Sequence, residues 1–510
     1  MNLIPFAFIL LIFIFQIATI RSELTSDYFV RNRNTGEDWF IHHDEKIALS
    51  DARYLYLKRV SDIDIWDFLP QPISVAFGII HPLMMFVGFK LFGLNNLGLR
   101  ISNLIVTTFS NVLIVLCVIE SSSGLVGIIL SLIFILNWNH FILTRHSVTE
   151  NILTLYLVLL VYIFLFNFEF FNSHIFWIAF FSSSIILFKI NFPFYILLLI
   201  LCFTIPMSKL STTAIAFTGC FVGFIFFEII QMTVLNKYGL TRWRYSNFFT
   251  AVKVHSGRQK SMGVILKPLG MRVIFSVFNL FIEWMGIKRP LIKIRHSMTT
   301  QYFIAGLIIS FLLFLFAQFT NVKYLSIFIF IIVYVMSMAP FHFYLKRIVS
   351  IFPIIFISIS ALAEGVISHY PFLEIYVLIF IFVLAAFIIY HQITKAIKMF
   401  ALRTKNIENF SKDIETTISD SSRIYSHCYG FRFLWMVQKH RFMFADDNTM
   451  NNQEIIDWAI KEQARYVIIT TGGLKIKEHT LPILIPIKMY TTTPSDSDIP
   501  EGLVLCEINL

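Results

Sequence analysis

Runs of about 20 apolar residues recur along this chain, and they decide what it can fold into. ILTLYLVLLVYIFLF at 152–166 and IYVLIFIFVLAAFIIY at 375–390 are the cores of two of them, within 151–167 and 372–392. A helix of that length crosses ~30 Å of hydrocarbon. Only 14% of the 510 residues are charged, against about one quarter in soluble domains, and mean hydropathy is +0.74. These features exclude a soluble globular protein and point to a polytopic α-helical membrane protein. Spans are expected at 3–20, 101–119, 125–143, 151–167, 174–190, 193–206, 212–235, 301–319, 323–340, 348–366 and 372–392. Segment 3–20 has no Lys or Arg ahead of it and no small-x-small site after it, so it reads as a retained first span. Stretch 73–93 (ISVAFGIIHPLMMFVGFKLFG) is broken by Gly, His-Pro and Lys and reads as an interfacial or re-entrant helix. Stretch 264–285 is similar. With these two, the count is roughly eleven to thirteen spans.

Two long polar loops interrupt the spans, 21–72 and the Lys/Arg-rich 236–300. After 392 the composition changes. ITKAIKMFALRTKN reads as a basic linker. RFMFAD, NQEIIDWAIKEQA, RYVIITTG, ILIPIKMYTT and LVLCEIN read as strand, helix, strand, strand, strand. The expected organisation is a membrane domain over 1–395 and an extracytoplasmic α/β domain over 396–510. No repeat with a period of 20–50 residues is visible, and no nucleic-acid motif. Cys117, Cys202 and Cys220 sit in apolar runs as small hydrophobes. Cys428 and Cys506 could pair if the tail faces an oxidising compartment. The net charge of +10 suits either anchoring to anionic headgroups or attraction of a phosphorylated substrate.

With the N-terminus in the cytoplasm, this span order brings Asp51, Arg145, His146, Glu150, Lys189 and Arg347 to the outer face. Loop 236–300 and the C-terminal domain share that side. The excess of basic residues there opposes the positive-inside rule; an anionic substrate on the outer face would account for it. Taken singly, each residue has a plain explanation. Asp51, with Asp44 and Glu45 close by, could be a solvated carboxylate. Lys189 and Arg347 could snorkel to the interface. Glu150 is harder to dismiss, because ionisable groups at the mouth of a span tend to face a cavity rather than lipid. Taken together, the residues match the needs of glycosyl transfer from a lipid phosphate. That reaction needs a carboxylate to accept the acceptor's proton, cations or a metal to stabilise the departing phosphate, and an apolar groove for the lipid tail.

The order SDARYLYLKR, HPLMMFVGFKLFGLNNLGLRISN, LTRHSVTENILTLYLVL resembles the GT-C glycosyltransferases, in the branch related to protein O-mannosyltransferases and the aminoarabinose transferase of lipid A. The matching positions are Asp51 with Tyr54, His81-Pro82-Leu83, Leu91-Phe92-Gly93, Arg100 and Glu150, then Lys189, and Arg347 with Pro353. The match covers about 45–200 well and 340–365 loosely. Two departures stand out: Ala52 follows Asp51 where many relatives have an Asp-Glu pair, and His81-Pro82 replaces Pro-Pro. The resemblance implies a multi-pass enzyme, in a cell (inner) membrane, taking sugar from a polyprenyl- or dolichyl-phosphate donor. It implies inversion, and a lipid, glycan or protein acceptor on the outer face. Asp51 is the expected base, with Glu150 assisting. Arg53, Tyr54, His81, Arg100, Arg145, His146, Lys189 and Arg347 are the expected substrate-binding residues. A divalent ion on Asp51 and Glu150 stays open. Ser50 is expected to cap a helix with Asp51 in its first turn, and Arg53, Lys58 and Arg59 either attract the phosphate or anchor the loop. The competing readings are a transporter or flippase for a lipid-linked saccharide, and a scaffold presenting the C-terminal domain. The first usually shows repeated halves and polar residues mid-span; here Glu228 and Glu364 are the exceptions to a pattern of charges at span ends.

Overall fold

A computed structural model describes residues 7, 10, 43–57, 78–122, 124–137, 140, 149–207, 210–237, 310–338, 350–401, 406–418, 423–426, 436–437, 441–444, 452–470, 484–491 and 502–509. Apart from residues 7 and 10, the expected span 3–20 lies outside the described residues, as does 238–300 with the stretch 264–285. The protein is a helical polytopic membrane protein with a small α/β part. Two compact units make it up. Unit 1 comprises 1–18, 76–79 and 103–397, and unit 2 comprises 19–75, 80–102 and 398–510.

Unit 2 begins with α1 (His43–Leu57) and α2 (Ile80–Phe92). The helix α3 (Asn96–Ser121) starts in unit 2 and continues into unit 1 at Asn103. A tight turn joins α2 to α3. Gly93 takes φ +83, a conformation that favours glycine, and its N–H returns to Phe89 O at 2.8 Å. Asn95 then caps α3, its Oδ1 accepting from Gly98 N at 2.9 Å, which satisfies one of the free donors of the first turn.

Unit 1 holds the apolar helices. These are α4 (Gly124–Ile135), α5 (Thr149–Phe166), α6 (Phe168–Ser173), α7 (Ile175–Ser182) with its 3₁₀ extension Ser183–Leu187, α8 (Phe192–Met207) and α9 (Leu210–Lys237). Then come α10 (Ser310–Phe319), α11 (Val322–Met338), α12 (Phe352–His369) and α13 (Glu374–Ala401). Among the described residues five segments are long and apolar enough to cross a membrane: α3, α5, α9, α12 and Pro371–His391. Six shorter apolar helices accompany them. As far as its residues are described, every span expected between 101 and 392 overlaps one of these helices. The span read over 125–143 is interrupted after Ile135: Asn137 Oδ1 takes the backbone N–H of His140 at 3.1 Å, a local bond that competes with the helix, and His140 is again helical.

The C-terminal residues of unit 2 form α14 (Asn406–Thr417), β1 (Arg423–Ser426), β2 (Arg441–Phe444), α15 (Asn452–Lys461), β3 (Tyr466–Thr470), β4 (Leu484–Thr491) and β5 (Gly502–Ile508). The sheet order is β2-β1-β3-β5-β4. β1 pairs parallel with β2 and β3, and β5 pairs antiparallel with β3 and β4. The two faces of the sheet bury different sets. Tyr425, Val467 and Val504 pack with Ile455 and Ile456 of α15. Ile424, Ile468 and Leu505 pack with α14, α1 and α2.

Three sequence expectations change. The helix carrying Asp51 starts at His43, so Ser50 is not its cap and Asp51 lies in its third turn; Asp44 and Glu45 stand in the first. The interfacial helix starts at Ile80 rather than 73. The basic linker is helical as far as Ala401, since Lys, Ala and Met are strong helix formers.

Candidate functional site

The geometry of unit 1 centres on Glu150. It opens α5, and α5 is apolar from there to Phe166. Lys189 Nζ lies 2.7 Å from Glu150 Oε1, with side-chain exposures of 14% for Lys189 and 5% for Glu150. Burying an ammonium or a carboxylate away from water is costly unless each is paired and hydrogen-bonded. Here each partner satisfies the other. Thr149 Oγ1 donates to Glu150 Oε2 at 3.2 Å, and Phe192 places its ring 5.1 Å from the ammonium.

Local structure delivers Lys189 to this place. The serine run 182–184 tightens the end of α7 into a 3₁₀ turn. Ser183 Oγ bonds Ala179 O and Cys220 O, each at 3.0 Å, and Ser184 Oγ pairs with Tyr156 OH at 2.8 Å. Gly78, at φ +133, packs directly on the backbone of Leu187 and Phe188, where an added Cβ would come within 2.6 Å of Leu187 C and Phe188 C. No larger residue fits that approach without moving the segment that leads to Lys189.

A second arm comes from the far end of the sequence. Ser350 Oγ donates to Glu150 O at 2.9 Å, and Tyr334, fully buried on α11, hydrogen-bonds Ser350 with its ring 4.8 Å from that of Tyr195. The start of α5, the end of α7 and the approach to α12 therefore meet at one end of unit 1. At the other end of α5, about 22 Å away at 1.5 Å per residue, Lys323 Nζ donates to Leu165 O at 2.9 Å. Just beneath Glu150, Asn151 Nδ2 donates to Asn103 Oδ1 at 3.0 Å. His140 Nε2 and Asn111 Oδ1 are 2.9 Å apart.

Asp51, Arg53, His81 and Arg100 belong to unit 2. Asp51 is half-buried on α1. Arg53 is 2% exposed and its Nη2 donates to Val437 O at 2.8 Å, which is the anchoring alternative rather than an open cation. His81 and Arg100 are buried as well, at 4% and 2% exposure. Tyr54 lies on α1, with its side chain outside the described residues. Tyr56 packs edge-on to Phe89 at 6.0 Å. Arg145, His146 and Arg347 lie outside the described residues. Thus Glu150 and Lys189 are brought together in unit 1, while Asp51 and Arg53 share a helix packed on α2 in unit 2. Sequence reading missed Ser350, Tyr334, Asn103, Asn111 and His140; a polar side chain inside an apolar run is the signal that marks them.

Among the described residues no group of three His, Cys, Asp or Glu stands together to hold a metal. Glu150 alone does not fit a divalent ion, since an ammonium already sits at Oε1. In the sheet, Cys506 is a free, buried thiol, and burial pushes its pKa up to about 11. Cys428 lies outside the described residues.

This helix order with its α/β part is that of a polytopic integral membrane protein, and the fold has a counterpart among solved structures. It is similar in structure to ArnT from Cupriavidus metallidurans bound to undecaprenyl phosphate, at 10% identity, over 97% of each chain, with a TM-score of 0.53. The apo state of the same protein matches at 11% identity over 97% of each chain, with a TM-score of 0.49. The sequence matches no protein-family model and no curated protein.

Proposed function

We propose that this chain is a membrane glycosyltransferase that moves a sugar from a polyprenyl- or dolichyl-phosphate donor to an acceptor on the outer membrane face. The observation that carries the reading is the part-buried Lys189 ammonium, held by the buried Glu150 at the end of an apolar bundle. The undecaprenyl phosphate bound by the similar ArnT supplies the class of ligand such a cation would meet. The mechanism is a single displacement. By sequence position, as the resemblance implies, Asp51 is assigned to accept the proton of the acceptor hydroxyl. The acceptor oxygen attacks the anomeric carbon from the face opposite the phosphate, and the carbon–oxygen bond to the phosphate breaks with inversion. Lys189 meets the charge that develops on the departing phosphate, and preorganised cations of this kind stabilise transition states most where water is excluded. Arg145, His146 and Arg347 are assigned to the same phosphate by sequence position. Glu150 keeps the ammonium charged and aimed. Its own contacts to Ser350 and Thr149 keep α5 in register, and this is its share of the work rather than metal binding.

The test is an assay with a panel of polyprenyl-phosphate sugars in detergent or nanodiscs, reading free polyprenyl phosphate and the glycosylated product. Release of polyprenyl phosphate with an inverted product is expected. A protein that binds undecaprenyl phosphate and carries intact lipid-linked saccharide across vesicles without cleaving it would overturn the proposal in favour of transport.

A further inference from the structure

The sheet in unit 2 has two faces and one helix of its own crossover. α15 covers the face bearing Tyr425, Val467 and Val504. The other face, bearing Ile424, Ile468 and Leu505, is covered by α14 together with α1 and α2. A sheet face that is apolar must be buried against another layer. Here part of that layer is borrowed from the first 102 residues. α1 offers Ala48, Leu49 and Ala52, all at most 4% exposed. Two alanines four residues apart let the helix approach closely. One turn on from Leu49, Arg53 passes into the same contact and donates to Val437 O. A guanidinium buried to 2% exposure needs such charge-assisted bonds.

We infer that the C-terminal α/β sheet is the mount of α1 and that Arg53, bonded to Val437 O, is a positioning residue that fixes the rotation of α1 and hence the aim of Asp51. The inference rests on the reading of Asp51 as the base. Asp51 precedes Arg53 by two residues, which is about 200° around a helix. Its carboxylate therefore projects from the flank opposite the Val437 bond, and it is half-buried there. A carboxylate stands about 6 Å from a helix axis, so a 20° roll of α1 would swing it by about 2 Å. Displacement of a catalytic group by 1 Å costs on the order of 10²-fold in rate. The bond to Val437 O thus sits where small losses of hold are amplified.

The experiment uses the full chain in nanodiscs, with Arg53→Met, Arg53→Lys and Ala52→Val. Three quantities are read: hydrogen exchange of peptides covering α1, affinity for undecaprenyl phosphate, and turnover with the best donor of the panel. In Arg53→Met, exchange in α1 should rise at least ~10-fold, turnover should fall ~10²-fold, and undecaprenyl phosphate affinity should stay within about twofold. Arg53→Lys keeps the charge and should recover part of both losses. Ala52→Val overpacks the same contact and should reproduce the Met phenotype in milder form. Unchanged exchange and turnover in Arg53→Met overturn the inference. So does a rise in exchange spread evenly over the whole protein in all three variants, which would mean Arg53 serves global stability. If the wild-type chain transfers no sugar from any donor, the reading of Asp51 fails, while the exchange of α1 still decides whether the sheet mounts it.

Discussion

Lys189→Met is the sharpest perturbation of the proposed site. It deletes an ammonium 2.7 Å from Glu150 Oε1 and leaves a carboxylate whose side chain is 5% exposed. Two unit charges about 4 Å apart interact by about 4 kcal/mol at an effective dielectric of 20. Breaking a buried pair from one side costs about 3–5 kcal/mol, because the surviving charge loses its compensation. Lys189→Met should therefore destabilise the folded protein by about 3 kcal/mol. Glu150→Gln leaves the more exposed ammonium, which can extend toward water, and should cost less, about 1–2 kcal/mol. The double variant removes both charges and should be milder than the sum, with a coupling of about 2 kcal/mol in a double-mutant cycle. Unfolding in micelles measures these terms. Binding of undecaprenyl phosphate separates stability from function. Lys189→Met should weaken it by about 10- to 100-fold, since a charge-assisted contact contributes about 1.5–3 kcal/mol and 1.4 kcal/mol is tenfold. Glu150→Gln should hold or raise affinity, because the ammonium no longer has a competing carboxylate. Additive stabilities in the cycle, or full undecaprenyl phosphate affinity in Lys189→Met, would refute the assignment of this pair.

Asp51→Asn should lower turnover by at least ~10²-fold with undecaprenyl phosphate binding intact, whereas Asp44→Asn should leave turnover within about threefold; the reverse ranking, read in the donor assay, would move the base to the start of α1. Gly78→Ala places a Cβ against the Leu187–Phe188 backbone and should cost about 1–3 kcal/mol together with undecaprenyl phosphate affinity; an unchanged affinity would show that the approach of this glycine does not set Lys189. Cys506, with its thiol pushed up to about 11 from 9.0, should be alkylated about 100-fold more slowly than an exposed thiol at pH 8, because only the thiolate reacts. Its rate should climb as pH rises toward 11; mass spectrometry of the Cys506 peptide after timed iodoacetamide treatment checks both points.

The apolar helices were legible in the sequence because a span needs length and apolarity but no partner. Glu150 and Lys189 were legible as ends that arrive at the same level, since alternating spans fix which termini share a side. Their direct pairing was not, because it depends on the 3₁₀ turn at Ser183–Leu187, which shifts the last residues of α7 relative to a regular helix. Tyr334 and Ser350 were invisible for another reason: a Tyr in a span reads as a large apolar group until its hydroxyl's partner is known. Strand β1 escaped because four residues, RIYS, are too few to show a period, although it pairs with strands on both sides. The start of α1 was misplaced because Ser50 carries the chemistry of a helix cap, and only the structure shows that HDEK at 43–46 opens the same helix. Arg53 followed the same logic; its residue type suits a phosphate or a carbonyl equally, and burial decides.

Unit 2 is sewn from three separated stretches of chain, and this sets a timetable for biogenesis. Arg53 and Val437 are 384 residues apart. At a synthesis rate of 5–20 residues per second, roughly 20–80 seconds pass between the emergence of one partner and the other. Throughout that interval Ala48, Leu49 and Ala52 have no sheet to lie on. A ribosome that stalls anywhere before β1 leaves them covered by α2 but not by the sheet, so the short α1 helix offers a membrane-bound chaperone or protease a surface that reports whether the far end of the polypeptide has been delivered.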